Sequence, residues 1–208
     1  MPLKNPDTSP QKAAVRQHRQ HRQHRQHGNE VRIIGGAWRG RKLRFPDVPG
    51  LRPTPDRVRE TLFNWLGQDL RGLACLDLFA GSGVLGLEAA SRGAASVVLV
   101  EADRQAAAAV QRHADALLDA TKTICSIQVL RRDALEFLSL PGRFDVIFAD
   151  PPYAMNLYAT LQTRLPALLN AGGRLYLEAA QAFGTFGELS LLRSGRAGQA
   201  HFHLFVKS

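Results

Sequence analysis

The stretch LACLDLFAGSGVLG, residues 73–86, decides the fold. It starts as an apolar run of strand length and then places Gly81, Gly83 and Gly86 where the chain must turn sharply and begin a helix. The same alternation continues outward. SVVLVEA (96–102) leads into a helical pattern over Arg104–Leu118, and SIQVLRRD (126–133) into ALEFL. RFDVIFAD (143–150) leads into a helical stretch near Leu157–Leu169, and GRLYLEA (173–179) into a looser segment. Strand and helix repeated in this order imply a parallel sheet covered on both faces, because right-handed crossovers put the helices there. The last runs, LSLL and AHFHLFV, read as an antiparallel pair closing one edge. The expected class is α/β, doubly wound, with a mostly parallel sheet.

A chain of 208 residues fits one domain plus a tail. From Arg16 to His27 the triplet RQH repeats with no apolar residue, so this basic segment cannot bury a face and is expected to be disordered. It reads equally as a solubilising extension or as a mobile arm that raises encounter with RNA. Lys and Arg number 27 against 18 Asp and Glu, a surplus that favours an anionic partner such as nucleic acid. No apolar stretch of membrane-spanning length is present and the N-terminus lacks a secretory core, so a cytoplasmic protein is expected, with no membrane partner. Cys75 and Cys125 share no metal-binding spacing and read as reduced, buried thiols. His201 and His203 fall on one face of a strand, but with no third ligand in sight they read as plain strand residues; no metal is expected.

The glycine turn lets a ligand lie against bare backbone, and the helix start offers amide groups to a carboxylate or phosphate. Glu101 ends the second strand, about where a carboxylate accepts the hydroxyls of a ribose. A nucleoside-containing cofactor follows. Read literally, Gly81–Gly86 is GxGxxG, which a dinucleotide such as NAD also uses, and the loop alone discriminates weakly. Asp77 tilts the balance, since an acid four residues before the first glycine suits a cationic amine or sulfonium and repels a pyrophosphate.

The fourth strand ends in Asp150-Pro151-Pro152-Tyr153. Strands one and four adjoin where a doubly wound sheet reverses direction, so this tetrad and the glycine loop are expected to line one crevice. An exocyclic base amine is a poor nucleophile because its lone pair is delocalised into the ring. The Asp150 carboxylate and the Pro151 carbonyl can accept its two hydrogens and draw that pair out of conjugation, with Pro152 stiffening the turn and Tyr153 offering a stacking face. This chemistry does not separate guanine N2 from adenine N6 or cytosine N4.

These motifs, in this order, resemble the class I methyltransferases, and DPPY resembles the subset acting on base amines. RIIGGAWRGRKL (32–43) and RPTPDRVRETLFNWL (52–66) narrow the resemblance to the bacterial 16S rRNA guanine-N2 methyltransferase D family. The resemblance runs from Val31 onward. It implies a seven-stranded sheet with an antiparallel last strand, a hairpin-and-helix extension over 31–66 that contacts RNA, and a methyl-transfer domain over 67–208 after a tail of residues 1–30. It implies S-adenosyl-L-methionine held by Asp77, Phe79, Ala80, Gly81, Ser82 and Gly83 at its methionine end, Glu101 at its ribose, and Asp133 with Ala134 at its adenine. It further implies transfer to guanine 966 of 16S rRNA in a partly assembled small subunit. Arg39, Arg41, Lys42, Arg52 and Arg57 are candidate RNA contacts, with an exposed, solvated edge as the plain alternative. The stretch 52–66 also reads as a helix capped by Thr54 that could lie over the cofactor with Phe63 and Leu66 in the core. Three other functions remain open at this point: another base-amine methyltransferase, an NAD-dependent oxidoreductase suggested by the literal GxGxxG, and a non-catalytic RNA-binding assembly factor.

Overall fold

The computed structural model describes residues 29–121 and 124–208, so the RQH repeat lies outside the described residues. The described chain opens with a hairpin, β1 (Asn29–Arg32) paired antiparallel to β2 (Lys42–Phe45). Helix α1 (Asp56–Leu66) follows, and then the alternating series begins. It runs β3 (Ala74–Asp77), α2 (Val84–Ser91), β4 (Ser96–Glu101), α3 (Arg104–Thr121), β5 (Ser126–Arg131), α4 (Ala134–Phe137), β6 (Phe144–Ala149), α5 (Tyr158–Leu168) and β7 (Leu169–Ala179). Three antiparallel strands close it: β8 (Thr185–Phe186), β9 (Leu189–Ala197) and β10 (Ala200–Val206).

The sheet order is β5-β4-β3-β6-β7-β10-β9-β8, parallel from β5 to β7. The direction of winding reverses between β3 and β6, as the alternation of elements implies. The closing strands differ in detail from the expectation. The sheet has eight strands because Thr185–Phe186 adds a short edge, and β10 does not sit at the edge but slots between β7 and β9. Its burial pattern explains the placement. Phe202, Leu204 and Phe205 are buried, a pattern that needs cover on both faces.

The hairpin joins the same core as the sheet. Val31, Ile33, Trp38, Leu43 and Phe45 pack with Leu62 and Phe63 of α1 and with the apolar residues of α2. Beneath them lies a buried ionic cluster. Glu88 of α2 accepts the Ile34 amide at 2.8 Å and Arg59 at 3.3 Å on one oxygen, and Arg92 at 2.8 Å on the other. Arg59 and Glu88 are wholly buried. Arg59 also donates to Asp56 and to the Thr54 carbonyl at 3.1 Å, so the segment before α1 is tied to the helix that follows the glycine turn.

Thr54 is not the cap of α1. The N-cap position is Pro55, which has no side chain to cap with, and the Thr54 hydroxyl instead donates to Glu178 at 2.9 Å. Nor does α1 cover the crevice at the end of the sheet; the run Val48–Thr54, which turns at Pro49–Gly50, does. Pro46, Pro49, Pro53 and Pro55 keep that run out of helical geometry.

Candidate functional site

A cavity of about 330 Å³ opens at the carboxyl ends of β3, β4 and β6. Asp77, Phe79, Ala80, Gly81, Ser82, Glu101, Asp133, Ala134, Asp150 and Pro152 all line it, so the glycine turn shares one crevice with Asp150 and Pro152 of the DPPY tetrad, while Pro151 and Tyr153 are not among its lining residues. Gly83 sits just behind. Its φ of 75° is left-handed, and a Cβ there would meet Val110 of α3 at 2.8 Å, so the turn needs glycine on both counts.

The acidic groups are arranged in an order that sequence alone does not show. Glu101 does not stand free for a ribose: one carboxylate oxygen takes the Gly81 amide at 2.7 Å and the other the Asp103 amide at 2.7 Å. Each oxygen keeps a second lone pair, so hydroxyl donors can still be accepted. Asp133 caps α4 by accepting the Leu135 and Glu136 amides through Oδ1, which leaves Oδ2 without a hydrogen bond from the described residues. Asp77 is buried and takes the Gly86 amide at 2.9 Å. Burial, with Glu101 nearby, raises its carboxyl from 3.8 to about 7 despite that hydrogen bond.

Around Asp150 three carboxyl groups converge. The parallel register pairs Asp77 with Phe148 and Phe148 with Tyr176, so the residues two further on, Asp150 and Glu178, project from the same face. Burial, then Glu178, then Asp77 push the Asp150 carboxyl well above the usual range. Burial also raises Glu178, opposed by hydroxyl hydrogen bonds from Tyr176 and Thr54. Among the described residues the Asp150 carboxylate accepts no hydrogen bond from the protein, and neither does the Pro151 carbonyl. Of these two adjacent acceptors, Asp150 lines the crevice, and Pro151 is buried beside it. Tyr153 begins a single helical turn and is 44% exposed, with Met155 beside it at 52%. Its half-exposed ring is therefore not part of the packed core.

Residues 31–206 match the family model described as Conserved hypothetical protein 95. The chain is 49% identical over 187 residues to the Escherichia coli K12 protein named ribosomal RNA small subunit methyltransferase D, covering 86% of this chain and 90% of that one. The chain belongs to the methyltransferase D family. The solved structure of yhhF from Escherichia coli superposes with a TM-score of 0.74 at 39% identity, covering 86% of this chain and 99% of that one. A hypothetical protein of a Thermus species superposes at 0.66 with 34% identity and the same coverages. The eight-stranded sheet with its flanking helices is thus the class I methyltransferase fold.

The candidate RNA contacts are all exposed, and they come from the hairpin segment, the run that follows it and α1. Arg39 lines a cleft with Glu60, Asn64 and Arg92, while Arg52 lines the main cavity. Lys42 is held by Glu30 at 2.9 Å, and Arg41 and Arg57 point to solvent. Arg44, Arg104 and Arg112 line a further groove between the hairpin and α3, which sequence reasoning missed because Arg44 lies on β2 and the other two, far along the chain, on α3. Thr54 and Glu178 were also missed. A carboxylate at the end of the buried strand GRLYLEA was the available signal.

His203 is buried and uses both ring nitrogens, one accepting the Phe183 amide at 3.1 Å and the other facing the Leu177 carbonyl at 3.3 Å. It is therefore spent as a strand residue. Burial pushes the Cys75 thiol up to about 12 and Cys125 to about 11, so neither is a nucleophile.

Proposed function

We propose that the protein transfers a methyl group from S-adenosylmethionine to the exocyclic N2 of a guanine in 16S rRNA, guanine 966 by family resemblance, during assembly of the small subunit in the cytoplasm. The observation that carries this reading is that Asp150, whose carboxylate accepts no hydrogen bond among the described residues, shares one cavity with Asp77, Glu101 and Asp133. That set of carboxylates fits a ligand bearing an ammonium and a sulfonium. It does not fit a pyrophosphate, which would meet like charge worth about 4 kcal/mol per pair at 4 Å in a medium of intermediate dielectric. The relatives named ribosomal RNA small subunit methyltransferase D support the same class of substrate.

In this reading Asp77 with the turn Phe79–Gly83 holds the methionine end, Glu101 the ribose, and Asp133 with Ala134 the adenine. When bound, the cofactor supplies an activated methyl group. Asp150 and the Pro151 carbonyl accept the two amino hydrogens of the guanine, which localises the nitrogen lone pair and aims it. Tyr153 stacks on the base, and Pro152 fixes the turn. Asp150 then takes the proton that the methylated nitrogen sheds. The base must be unpaired or flipped to reach this depth. Residues 31–66, with Arg39, Arg41, Lys42, Arg52 and Arg57, hold the RNA outside the methyl-transfer unit formed by 67–208.

Asp77→Asn tests the cofactor assignment. The raised carboxyl of Asp77 favours the folded state below about pH 4 and loses that contribution as pH rises toward about 7. Without ligand, the asparagine variant should melt higher than wild type at pH 8, with the advantage shrinking toward pH 5. Calorimetry should show wild type binding S-adenosylmethionine and not NAD, and the variant losing at least about tenfold in affinity, about 1.4 kcal/mol. Tight binding of NAD in its place would overturn the assignment.

A further inference from the structure

We infer that Glu178 is the positioning residue that makes Asp150 the proton acceptor: a buried carboxylate fixed by Thr54 and Tyr176, it keeps its own charge and directs the arriving proton to its neighbour. This rests on the proposed methyl transfer to a base amine.

The three carboxyl groups on this face differ in what they hold. Asp77 takes the Gly86 amide, and Glu178 takes two hydroxyl donors on one oxygen, Thr54 at 2.9 Å and Tyr176 at 2.9 Å. Asp150 takes none among the described residues and borders the cavity. Hydrogen bonds to an ionised carboxylate favour its ionised form, so the group with two donors is the last to accept a proton and the group with none is the first. Glu178 is only 7% exposed, so its charge is poorly screened at Asp150. Two like charges this close cannot both persist comfortably, and the strain is relieved at Asp150.

The chemistry balances without any other group. The amine lone pair forms the new nitrogen–carbon bond while the sulfur–carbon bond breaks and its pair returns to sulfur. The nitrogen then carries an extra proton, which passes to Asp150 and from there through the open crevice to water. Glu178 exchanges no proton and touches no substrate atom.

Thr54 gives the arrangement a second consequence. It ends the run Val48–Thr54 that walls the cavity, and its carbonyl is held by Arg59. Glu178 thus also anchors that wall, so a purely structural role must be separated from the electrostatic one. The groups facing Asp150 are Glu178 and Tyr176 from β7, Asp77 from β3 with Glu101 behind it, and Tyr153 with Tyr158 behind it. Arg52 and Arg132 line the same cavity.

The decisive measurement is the protonation midpoint of Asp150 in cofactor-free protein, read as the carboxyl infrared band that disappears in Asp150→Asn. Glu178→Gln should lower this midpoint by about one pH unit or more, a tenfold loss of proton affinity. Tyr176→Phe, which removes one of the two donors and so lets Glu178 compete for the proton, should shift it the same way by less, and serves if Glu178→Gln fails to fold. In turnover, Glu178→Gln should lower kcat and move the acid limb of the pH profile down, with KM for S-adenosylmethionine little changed. An unmoved Asp150 midpoint in both variants, or a loss confined to KM, would overturn the inference. Failure of wild-type protein to methylate any guanine would instead overturn the proposed function, whatever the infrared midpoints show.

Discussion

Asp150→Asn should reduce methyl transfer by about a hundredfold to ten-thousandfold, the range over which a positioned proton acceptor and a preorganised hydrogen-bond acceptor act. Asparagine preserves size and still offers one carbonyl oxygen to the amine, but it cannot take the proton and its amide hydrogens point at the nitrogen that must be drawn forward. The protein should fold at least as well as wild type, because the substitution removes a carboxylate that burial and its neighbours Glu178 and Asp77 already disfavour. Affinity for S-adenosylmethionine should change by less than about tenfold, within about 1.4 kcal/mol. Single-turnover rates with saturating RNA, beside calorimetry of the cofactor, separate these terms. Turnover near the wild-type rate would remove Asp150 from the mechanism.

Glu88→Gln should be among the most damaging single changes to stability. Glu88 is the only acid that meets both Arg59 and Arg92 among the described ion pairs, and it also receives the Ile34 amide. Glutamine keeps the shape but leaves two buried guanidinium groups facing an uncharged amide. Removing one partner of a buried ion pair costs about 3–5 kcal/mol. For a chain of this size each kcal/mol moves the melting temperature by about 2–4 °C, so a drop of roughly 10 °C is expected. The loss should also reach the site. Arg59 holds the Thr54 carbonyl, and through Thr54 the wall of the cavity, so cofactor affinity should weaken in the variant well below its melting temperature. A melting temperature within a degree or two of wild type would show that the cluster is not what ties the hairpin to the sheet.

Much of this was legible in the residues, and for identifiable reasons. The parallel order of β3 to β7 follows from the alternation of periods along the chain, and the meeting of DLFAGSG with DPPY follows from that order, because neighbouring strands at the switch point share a crevice. What could not be read were contacts made across large separations. Glu88 sits in a short helix, VLGLEAAS, that is otherwise apolar or small, and nothing local identifies its partners 29 residues before it at Arg59 and 54 before it at Ile34. Thr54 looked like a helix cap because it precedes an amphipathic helix. Its partner, Glu178, lies 124 residues on, and tertiary packing overrode the local signal. The placement of β10 inside the sheet was equally hidden, since an antiparallel pair can close an edge with either member outermost.

The central claim is most directly tested by incubating the full chain with labelled S-adenosylmethionine and small ribosomal subunits from cells that lack the enzyme, then digesting the RNA and identifying the labelled nucleoside by mass spectrometry. N2-methylguanosine at a single 16S rRNA position is the expected product. A labelled adenosine or cytidine would contradict the guanine assignment while keeping the amine chemistry, and cofactor binding with no transfer to subunits, free rRNA or tRNA would contradict the enzyme itself.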